Sequence, residues 1–379
     1  MERAGRAVVV GGGIGGSATA VALARRGWQV EVLERAVTGE GGSGLSLWPN
    51  GLRALDVLGL GERVRARAMV DTEGGIRDRS GRWLSRTDTE ELARRYGAMV
   101  AMHRADLFGI LRSAVPEGSL RLGVTVTGLE YHGDEVTVAH SAGVSEADLV
   151  IGADGIRSSV REALWPNVFR PRCAGYTAWR MISRPVPDLR SGGETLGRGE
   201  RFGVAPLPDG RAYLFGVANA RAGERAPDGE FAEVRRRFGA WPQPIPALLD
   251  AVDPEAVLRH DIYDLPSLKT FVHHRVALVG DAAHAMTPNL GQGANQALED
   301  AVTLAALLDR HPLATALSAY DRSRRPRTRS LARRSRRLGA IAQWSWPPAA
   351  LLRDTAARLT PPGVALRALA PVLNWQPPE

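Results

Sequence analysis

Residues 6–34 read RAVVVGGGIGGSATAVALARRGWQVEVLE, and this stretch determines the fold class. Residues 6–11 are a short β-branched run, which is typical of a buried parallel strand. A glycine-rich turn follows, and then a segment of small and apolar residues with helical spacing that ends at Gly27. Residues 28–34 predict a second strand. A strand, a turn, a helix and a strand in under 30 residues make a βαβ unit, so the chain is predicted to open with a Rossmann-type α/β domain.

The turn carries the spacing of a dinucleotide site. Gly11, Gly13 and Gly16 fit G-x-G-x-x-G, in which the glycines allow a tight turn, a close approach of backbone to a pyrophosphate, and helix packing on the strand. Glu34 ends the second strand, where an acidic residue can hold a ribose hydroxyl. The pattern predicts dinucleotide binding but does not separate NAD from FAD.

The rest of the chain divides by pattern. Residues 171–265 hold several predicted strands separated by polar turns, which favours an antiparallel sheet. Residues 273–281 return to the buried-strand type, and a long helix is predicted at 293–309. The prediction is a discontinuous dinucleotide-binding domain, a substrate-binding sheet lobe and a C-terminal helical tail. Their ranges are 1–72, 99–170 and 271–338 for the first, 73–98 and 171–270 for the second, and 339–379 for the tail.

Composition restricts the function classes. The chain has 379 residues, a single cysteine (Cys173) and a net charge of +8. No charged leader and no apolar run of membrane length is visible, so a cytoplasmic protein without a membrane partner is expected. The arginine-rich run at 322–337 predicts the solvated face of a late helix, with Leu331 and Leu338 turned inward. No aromatic residues interleave with these arginines, which argues against nucleic acid.

A second glycine-rich segment settles the cofactor. Residues 275–301, RVALVGDAAHAMTPNLGQGANQALEDA, closely resemble the second FAD motif of the flavin-dependent monooxygenases of the aromatic-hydroxylase type. Residues 152–161, GADGIRSSVR, resemble the Asp-Gly motif of that family, and residues 44–61 and 103–111 resemble further family segments. The resemblance covers most of residues 6–330.

The resemblance assigns the cofactor contacts. It implies that Glu34 and Arg35 meet the adenosine ribose, that Arg104 meets the pyrophosphate, and that Asp154 belongs to the Asp-Gly motif of the site. Asp281 would meet the ribityl or ribose region, and the flavin ring would lie against Gly291, Gln292 and Gly293. Independently of the family, Pro288 stiffens the turn, and glycines let a flat ring approach backbone donors. His284 is interpreted as a packing and hydrogen-bonding residue, and no metal site is predicted.

The resemblance also implies a reaction. NADH or NADPH would reduce FAD, the flavin would form a C4a-hydroperoxide with O2, and an aromatic or polycyclic small molecule would be hydroxylated or epoxidised. The nicotinamide would bind transiently near the Asp-Gly motif, with Arg157 and Arg161 as candidates for its phosphates. A reductase or dehydrogenase that inserts no oxygen is the alternative, and an arginine-rich nucleic-acid binder is a remote one. A halogenase is rejected because the WSWPP segment at 344–348 lies in the tail. A monomer or homodimer is expected.

Arg201 and Tyr213 are the candidate catalytic residues. They resemble the substrate-side Arg and Tyr of the FAD-dependent urate hydroxylase branch. Asn289 departs from that branch, which carries an acid there, so urate is not the expected substrate. The other candidates to line the substrate site are Leu45, Leu47, Tyr176, Trp179, Arg180, Phe215 and Met286.

Overall fold

The computed structural model describes residues 5–37, 43–70, 74–187, 189 and 191–378. The strands, in chain order, are β1 (Arg6–Val10), β2 (Gln29–Glu34), β3 (Gly44–Leu47), β4 (Met69–Val70), β5 (Gly74–Asp78), β6 (Trp83–Thr87), β7 (Val100–His103), β8 (Leu120–Leu122), β9 (Val126–His132), β10 (Glu135–His140), β11 (Gly143–Ala147), β12 (Leu149–Gly152), β13 (Arg172–Ile182), β14 (Gly193–Leu196), β15 (Glu200–Pro206), β16 (Ala212–Asn219), β17 (Leu258–Asp264), β18 (Val272–His273) and β19 (Val276–Leu278). The α-helices are α1 (Ile14–Ala24), α2 (Pro49–Val57), α3 (Gly61–Arg65), α4 (Thr89–Tyr96), α5 (Arg104–Arg112), α6 (Ser159–Leu164), α7 (Glu230–Phe238), α8 (Ile245–Asp250), α9 (Asp281–His284), α10 (Gly293–Arg310), α11 (Leu313–Ala342), α12 (Pro347–Leu359) and α13 (Pro362–Leu373).

The main sheet has the order β18-β19-β12-β1-β2-β8. β1 pairs in parallel with β2 and β12, and β12 pairs in parallel with β19. Residues Ala7–Val10 are at most 4% exposed, because a central parallel strand is covered on both faces and must be apolar throughout. The predicted α/β, Rossmann-type fold is confirmed.

The parallel order brings the three sequence motifs to one edge of the sheet. β1, β12 and β19 are neighbours and end at Val10, Gly152 and Leu278, and each end leads directly into one of the glycine-containing motifs. Backbone hydrogen bonds tie the ends together: Ala153 N donates to Val10 O at 2.8 Å, and Val279 N donates to Gly152 O at 3.0 Å. Ligands of open α/β sheets bind outside the carboxyl ends of the strands, so this edge is the expected site.

The second sheet has the order β17-β13-β16-β15-β14-β5-β6 and provides the predicted second lobe. It is antiparallel except that β14 runs parallel to β5, an exception that the sequence did not predict. One of its faces packs on α7 and α8 through an apolar cluster that includes Met181, Phe202, Leu214, Phe238 and Leu248. Because side chains alternate along a strand, the opposite face carries the residues one position away.

That opposite face is polar and aromatic, and it looks toward the main domain. Tyr176, Arg180, Arg201 and Tyr213 lie on it, as the pairings of β13, β15 and β16 require. A Cβ added to Gly44 of β3 would lie 2.6 Å from the Tyr213 ring, so the main domain touches this face directly. The polar face therefore contacts the main domain at β3 and, through Arg201 and Asn289, at the loop before Gly291.

The prediction for the inward face of α11 needs partial correction. α11 is the predicted arginine-rich helix, but Leu338 is 40% exposed, and Arg324 is fully buried rather than solvated. Leu331 is 4% exposed and so turns inward as predicted, whereas Leu338 does not, and ion pairs bury Arg324.

The C-terminal helices α12 and α13 are present as predicted. Leu366 and Leu373 of α13 share an apolar cluster with Leu92, Leu290 and Leu331. The carbonyls at the end of α13 accept hydrogen bonds from Arg53 and Arg327, which satisfies groups that a helix end leaves open. The exact division into domains stays a prediction. α11 extends to Ala342, past the predicted boundary at residue 338.

Candidate active site

The first glycine turn has no room for side chains at two of its glycines. Gly11 has a φ of +102°, and an added Cβ would lie 2.5 Å from Ala153 O. At Gly16 an added Cβ would lie 1.8 Å from Gly11 O. Gly13 is different, because no atom of the described residues lies within 4 Å of its Cβ position. Gly13 stands at the N-terminus of α1, so open space lies where the backbone and the helix dipole favour a pyrophosphate.

Glu34 holds the turn from the neighbouring strand. Its Oε2 accepts from Gly12 N at 2.6 Å, and its Oε1 accepts from Ala36 N at 2.7 Å. A carboxylate oxygen has two lone pairs, so both oxygens keep capacity for a ribose hydroxyl. Arg35 is exposed beside it. The turn and its acid therefore fit the adenosine half of a dinucleotide.

Asp154 of the Asp-Gly motif uses only one of its carboxylate oxygens to cap a helix. Its Oδ2 accepts from Ser159 N at 2.6 Å and Val160 N at 3.1 Å, at the start of α6. Its Oδ1 is buried and has no partner among the described residues. Buried polar atoms normally have partners, so this oxygen is available to a ligand.

Arg161 is a structural residue rather than a candidate for nicotinamide phosphates. Its guanidinium is buried, Nη1 donates to Ala282 O at 2.8 Å, and Nη2 donates to Ile156 O at 2.6 Å. Arg161 thus joins the Asp-Gly motif to the motif at residues 275–301. Of the two candidates, Arg157 alone is exposed.

Asp281 lies at the start of α9 and near Arg104. Burial among protein atoms raises the pKa of the Asp281 carboxyl, although the charges of His284 and Arg104 act to lower it. The residue is nevertheless exposed to solvent, so its carboxylate is accessible to a ligand. A Cβ on Gly293 would be 4.0 Å from Asp281 Oδ1. The sequence-predicted residues Arg104, Asp281 and Gly293 are therefore close in space.

The loop before α10 presents backbone. Pro288 is exposed and begins a short 3₁₀ turn that ends at Gly291, which has a φ of +60°. Gln292 follows with a fully buried side chain. Its Oε1 accepts from Asn50 Nδ2 at 2.9 Å, whereas its Nε2 is buried without a partner among the described residues. This loop therefore has an unsatisfied donor and exposed glycine backbone.

A buried network of charged and polar side chains holds Gln292 in place. Asn50 Nδ2 and Gln296 Nε2 both donate to Glu299 Oε1, at 2.7 and 2.8 Å. Arg324 pairs with Glu299 and donates to Asp300 Oδ1 at 2.7 Å. Burial acts to raise the pKa of the Glu299 and Asp300 carboxyls. Nearby charges outweigh this effect of burial in both carboxyls: Arg324 lowers the pKa of Glu299, and His284 and Arg324 lower the pKa of Asp300. Both acids are therefore ionised at neutral pH.

His284 connects this network to the end of β19. Its Nε2 lies 2.5 Å from Asp300 Oδ2, and that oxygen also accepts from Gly280 N at 2.8 Å. The side chain is buried and contacts the Phe271 ring. The interpretation of His284 as a packing and hydrogen-bonding residue is confirmed.

The two glycine-rich halves of the site are adjacent. A Cβ on Gly15 would lie 3.3 Å from the Ala297 Cβ, and one on Gly280 would lie 3.1 Å from the same atom. The start of α1, the end of β19 and the first turns of α10 thus meet at Ala297. One extended cofactor can reach both.

Arg201 and Asn289 join the sheet lobe to the motif at residues 275–301. Arg201 is 4% exposed, its Nη1 pairs with Glu194 Oε2 at 3.2 Å, and its Nη2 donates to Asn289 Oδ1. Asn289 Nδ2 lies 2.9 Å from Ser335 O and 3.0 Å from Tyr176 Oη. Arg201 Nε is buried and has no partner within the described residues. This cluster stands directly before the glycine loop.

Tyr213 lies next to Arg180 on the same face. Arg180 Nη1 donates to the Tyr213 hydroxyl oxygen, so the hydroxyl hydrogen remains free to be donated to a ligand. The Phe215 ring stacks beside Tyr213 with a centroid distance of 5.7 Å. This face therefore offers both aromatic surface and donors.

Three of the candidate lining residues lie elsewhere. Trp179 is on the opposite face of the sheet, where its Nε1 donates to Glu230 Oε2 at 2.7 Å and its ring packs on Phe238. Leu47 is fully buried in the core of the main domain, and Met286 packs in the apolar cluster with α13. Trp179 was misassigned because the side-chain period of two puts it one residue out of phase with Arg180.

The site fits FAD on observations of its own residues. Three features lie on the three loops that meet at one sheet edge: the open space at Gly13, and two atoms without a partner among the described residues, Asp154 Oδ1 and Gln292 Nε2. The family model described as an FAD binding domain matches residues 5–335. The chain belongs to the FAD-dependent monooxygenases of the aromatic-hydroxylase type.

Relatives in this family cover nearly the whole chain. The aurachin C monooxygenase/isomerase of Stigmatella aurantiaca is 36% identical over 93% of this chain and 93% of its own length. An FAD-dependent urate hydroxylase of Klebsiella pneumoniae is 34% identical over 88% of this chain and 89% of its own. The crystal structure of Klebsiella pneumoniae HpxO with FAD and uric acid has a TM-score of 0.92 and 30% identity, covering 97% of this chain and 96% of HpxO.

The structure adds residues that sequence reasoning missed. Asn295 Oδ1 accepts from Trp48 N at 3.0 Å, and its Nδ2 donates to Gly291 O at 2.9 Å. The Trp48 indole nitrogen is 3.1 Å from the Cβ position of Gly291 and has no partner in the described part of the chain. The segments that hold Trp48, Asn50 and Asn295 resembled the family, which was the available signal, but their mutual contact depends on tertiary structure.

Proposed function

We propose that the protein uses NADH or NADPH and O2 to hydroxylate an aromatic or polycyclic small molecule in the cytoplasm. When bound, FAD supplies hydride acceptance and oxygen activation, and the protein positions the substrate and excludes water. The observation that supports the proposal is that the polar face of the sheet, with Arg201 and Tyr213, lies beside the loop that resembles the flavin motif, where Arg201 donates to Asn289 Oδ1.

The donors on that face favour a planar ring that carries an oxygen. Tyr213 has a free hydroxyl hydrogen, and Arg201 Nε is a buried donor without a partner in the described residues. Both are suited to an oxo or phenolate oxygen, and Phe215 gives apolar surface for a ring. Relatives named for 3-amino-4-hydroxybenzoate, 3-hydroxybenzoate and a quinolone act on or form compounds of this kind.

Asn289 argues against urate itself. Its nitrogen faces the Ser335 carbonyl, which can only accept, and its oxygen faces Arg201, which can only donate, so the neutral amide has a single favourable orientation. A carboxylate at this position would meet the Ser335 carbonyl oxygen. The site is therefore built around a neutral amide where the urate hydroxylase branch resembled in sequence carries an acid.

The test is a screen of hydroxylated benzoates, pyridines and quinolones for compounds that stimulate NAD(P)H consumption by the FAD-loaded protein. We expect Arg201→Ala to abolish stimulation by the best compound while the flavin spectrum is kept. The exposed Arg221→Ala variant should respond like the wild type. No stimulation by any compound of these classes, or full stimulation in Arg201→Ala, would contradict the proposal.

A further inference from the structure

The outward face of α12 is apolar. Its inward face packs through Ala350 and Arg353, and Arg353 donates to Ala342 O at 2.8 Å and Gly197 O at 2.9 Å. On the other side, Leu351, Leu352 and Leu359 are 69%, 64% and 75% exposed. At 100° per residue these leucines lie within about one third of the helix circumference. α12 therefore buries one side and leaves an apolar strip on the other.

Further exposed apolar side chains lie close to α12 in the sequence. Trp346 immediately precedes the helix and is 68% exposed, and Leu338 and Ile341 at the end of α11 are 40% and 38% exposed. Isolated exposed apolar residues are ordinary, but a cluster of this kind marks an interaction surface. We name Leu338, Ile341, Trp346, Leu351, Leu352 and Leu359 the tail face.

The same segment of the chain is rich in arginine. Residues 322–379 contain twelve arginines and two acidic residues, and six of the arginines, including the buried Arg324, pair with carboxylates. Arg329, Arg333 and Arg337 form an exposed stripe along α11 at a spacing of four residues, with Ile341 next in line. Among the described residues these three arginines form no salt bridge. The basic character of the protein is thus concentrated in the segment that exposes apolar side chains.

The positive charge of the arginine stripe distinguishes between two binding partners for the tail face, a second copy of the chain and a membrane surface. In a symmetric dimer through the tail face, the same patch would come from both copies, and the two arginine stripes would approach each other. An anionic lipid surface instead complements the stripe and accepts leucine and tryptophan at its interface. We propose that the tail face docks on the anionic surface of a membrane.

This docking is peripheral. No helix in the described part of the chain is long and apolar enough to cross a bilayer. The sequence-based expectation of no membrane partner rested on the lack of long apolar runs, and surface docking does not need them. The proposal rests on the tail face alone and does not depend on the oxygenase reaction.

The test is sedimentation of the FAD-loaded full chain with vesicles. Phosphatidylcholine vesicles containing phosphatidylglycerol should carry the protein down, and pure phosphatidylcholine vesicles should not. The variant Leu351→Ser/Leu352→Ser/Leu359→Ser should lose about tenfold or more in vesicle affinity, since burial of each side chain contributes to partitioning. Arg333→Gln/Arg337→Gln should weaken binding and its dependence on salt.

The matched control is Val144→Ser/Val168→Ser, which removes two exposed valines far from the tail in sequence and should bind vesicles as the wild type does. Retained flavin absorbance shows that each variant is folded. The proposal is overturned if the wild type does not sediment with anionic vesicles, or if the leucine variant still binds. A dimer that analytical ultracentrifugation detects without vesicles, and that the leucine variant abolishes, assigns the face to a second copy and also overturns it.

Discussion

Arg201 of the sheet lobe donates a hydrogen bond to Asn289 of the motif at residues 275–301, two residues before Gly291. The contact links the polar face of the sheet lobe to the loop that is proposed to hold the flavin ring. Asn289 is held in one orientation, because its nitrogen faces Ser335 O at 2.9 Å. This pair makes the amide a structural element of the site.

Asn289→Asp tests that role. The carboxylate would replace a donor to Ser335 O by a second acceptor, and an unsatisfied buried group costs about 1–3 kcal/mol. Arg201 already pairs with Glu194, so the gain in attraction is small. We expect a lower free energy of unfolding in urea at pH 7. The exposed Asn374→Asp variant is the control and should match the wild type. Equal or greater stability of Asn289→Asp would show that the amide is not required.

The first glycine turn permits a matched pair of variants. Gly16→Ala places a Cβ 1.8 Å from Gly11 O, so it should disrupt the turn and lower the midpoint of thermal unfolding. Gly13→Ala meets no described atom within 4 Å, so the fold should be kept, and the methyl group should instead hinder the pyrophosphate. We expect at least tenfold weaker FAD binding with an unchanged unfolding midpoint of the apoprotein.

The control for this pair is Gly109→Ala in α5, whose Cβ position is also open among the described residues. It should be neutral or slightly stabilising, because alanine favours a helix by about 1 kcal/mol over glycine. If Gly13→Ala binds FAD as tightly as the wild type does, the cofactor does not occupy the space beside Gly13.

The Asp281 carboxylate is predicted to strengthen FAD binding and to lower the stability of the folded apoprotein. Its pKa is raised by burial, so the folded apoprotein holds the ionised form less favourably than the unfolded chain does. Stability is therefore lost as the pH rises above the ordinary value of 3.8. Asp281→Asn should unfold at an equal or higher urea concentration than the wild type at pH 7, and at an equal one near pH 3. Its affinity for FAD should fall. Normal FAD retention would show that the carboxylate contacts no part of the cofactor.

Arg324 supports the buried network behind Gln292. Removing it leaves Glu299 and Asp300 buried with less compensation, and breaking a buried ion pair costs about 3–5 kcal/mol. Arg324→Met should therefore lower the free energy of unfolding by about this amount at pH 7. Arg329→Met, on the exposed side of the same helix, should change it by less than about 0.5 kcal/mol. Similar effects of both substitutions would mean that the network contributes nothing to stability.

Sequence patterns predicted the elements whose signals are local. The βαβ unit and α10 depend on runs of β-branched residues, glycine spacing and a helical period, and they appear close to the predicted bounds. Arg324 shows the limit of this reasoning. An arginine within a basic run predicts solvent exposure, and its burial depends on Glu299 and Asp300, which are more than 20 positions away.

The assignment of sheet faces shows the same limit. Arg180 and Trp179 are adjacent in sequence and both are plausible ligand contacts, yet the pleat sends them to opposite faces. The packing of Phe238 against Trp179 decides which face is core. Motif resemblance located the cofactor loops, because those use backbone at fixed spacing, whereas the substrate side depends on contacts between distant strands.

The most direct test of the account is isotope labelling. The FAD-loaded protein, NAD(P)H and a compound that stimulates NAD(P)H consumption are incubated under ¹⁸O2, and the product is analysed by mass spectrometry. The account predicts one ¹⁸O atom in the product. A product that forms without label, while NAD(P)H is consumed, would instead identify a flavin reductase or dehydrogenase and contradict the proposed oxygen insertion.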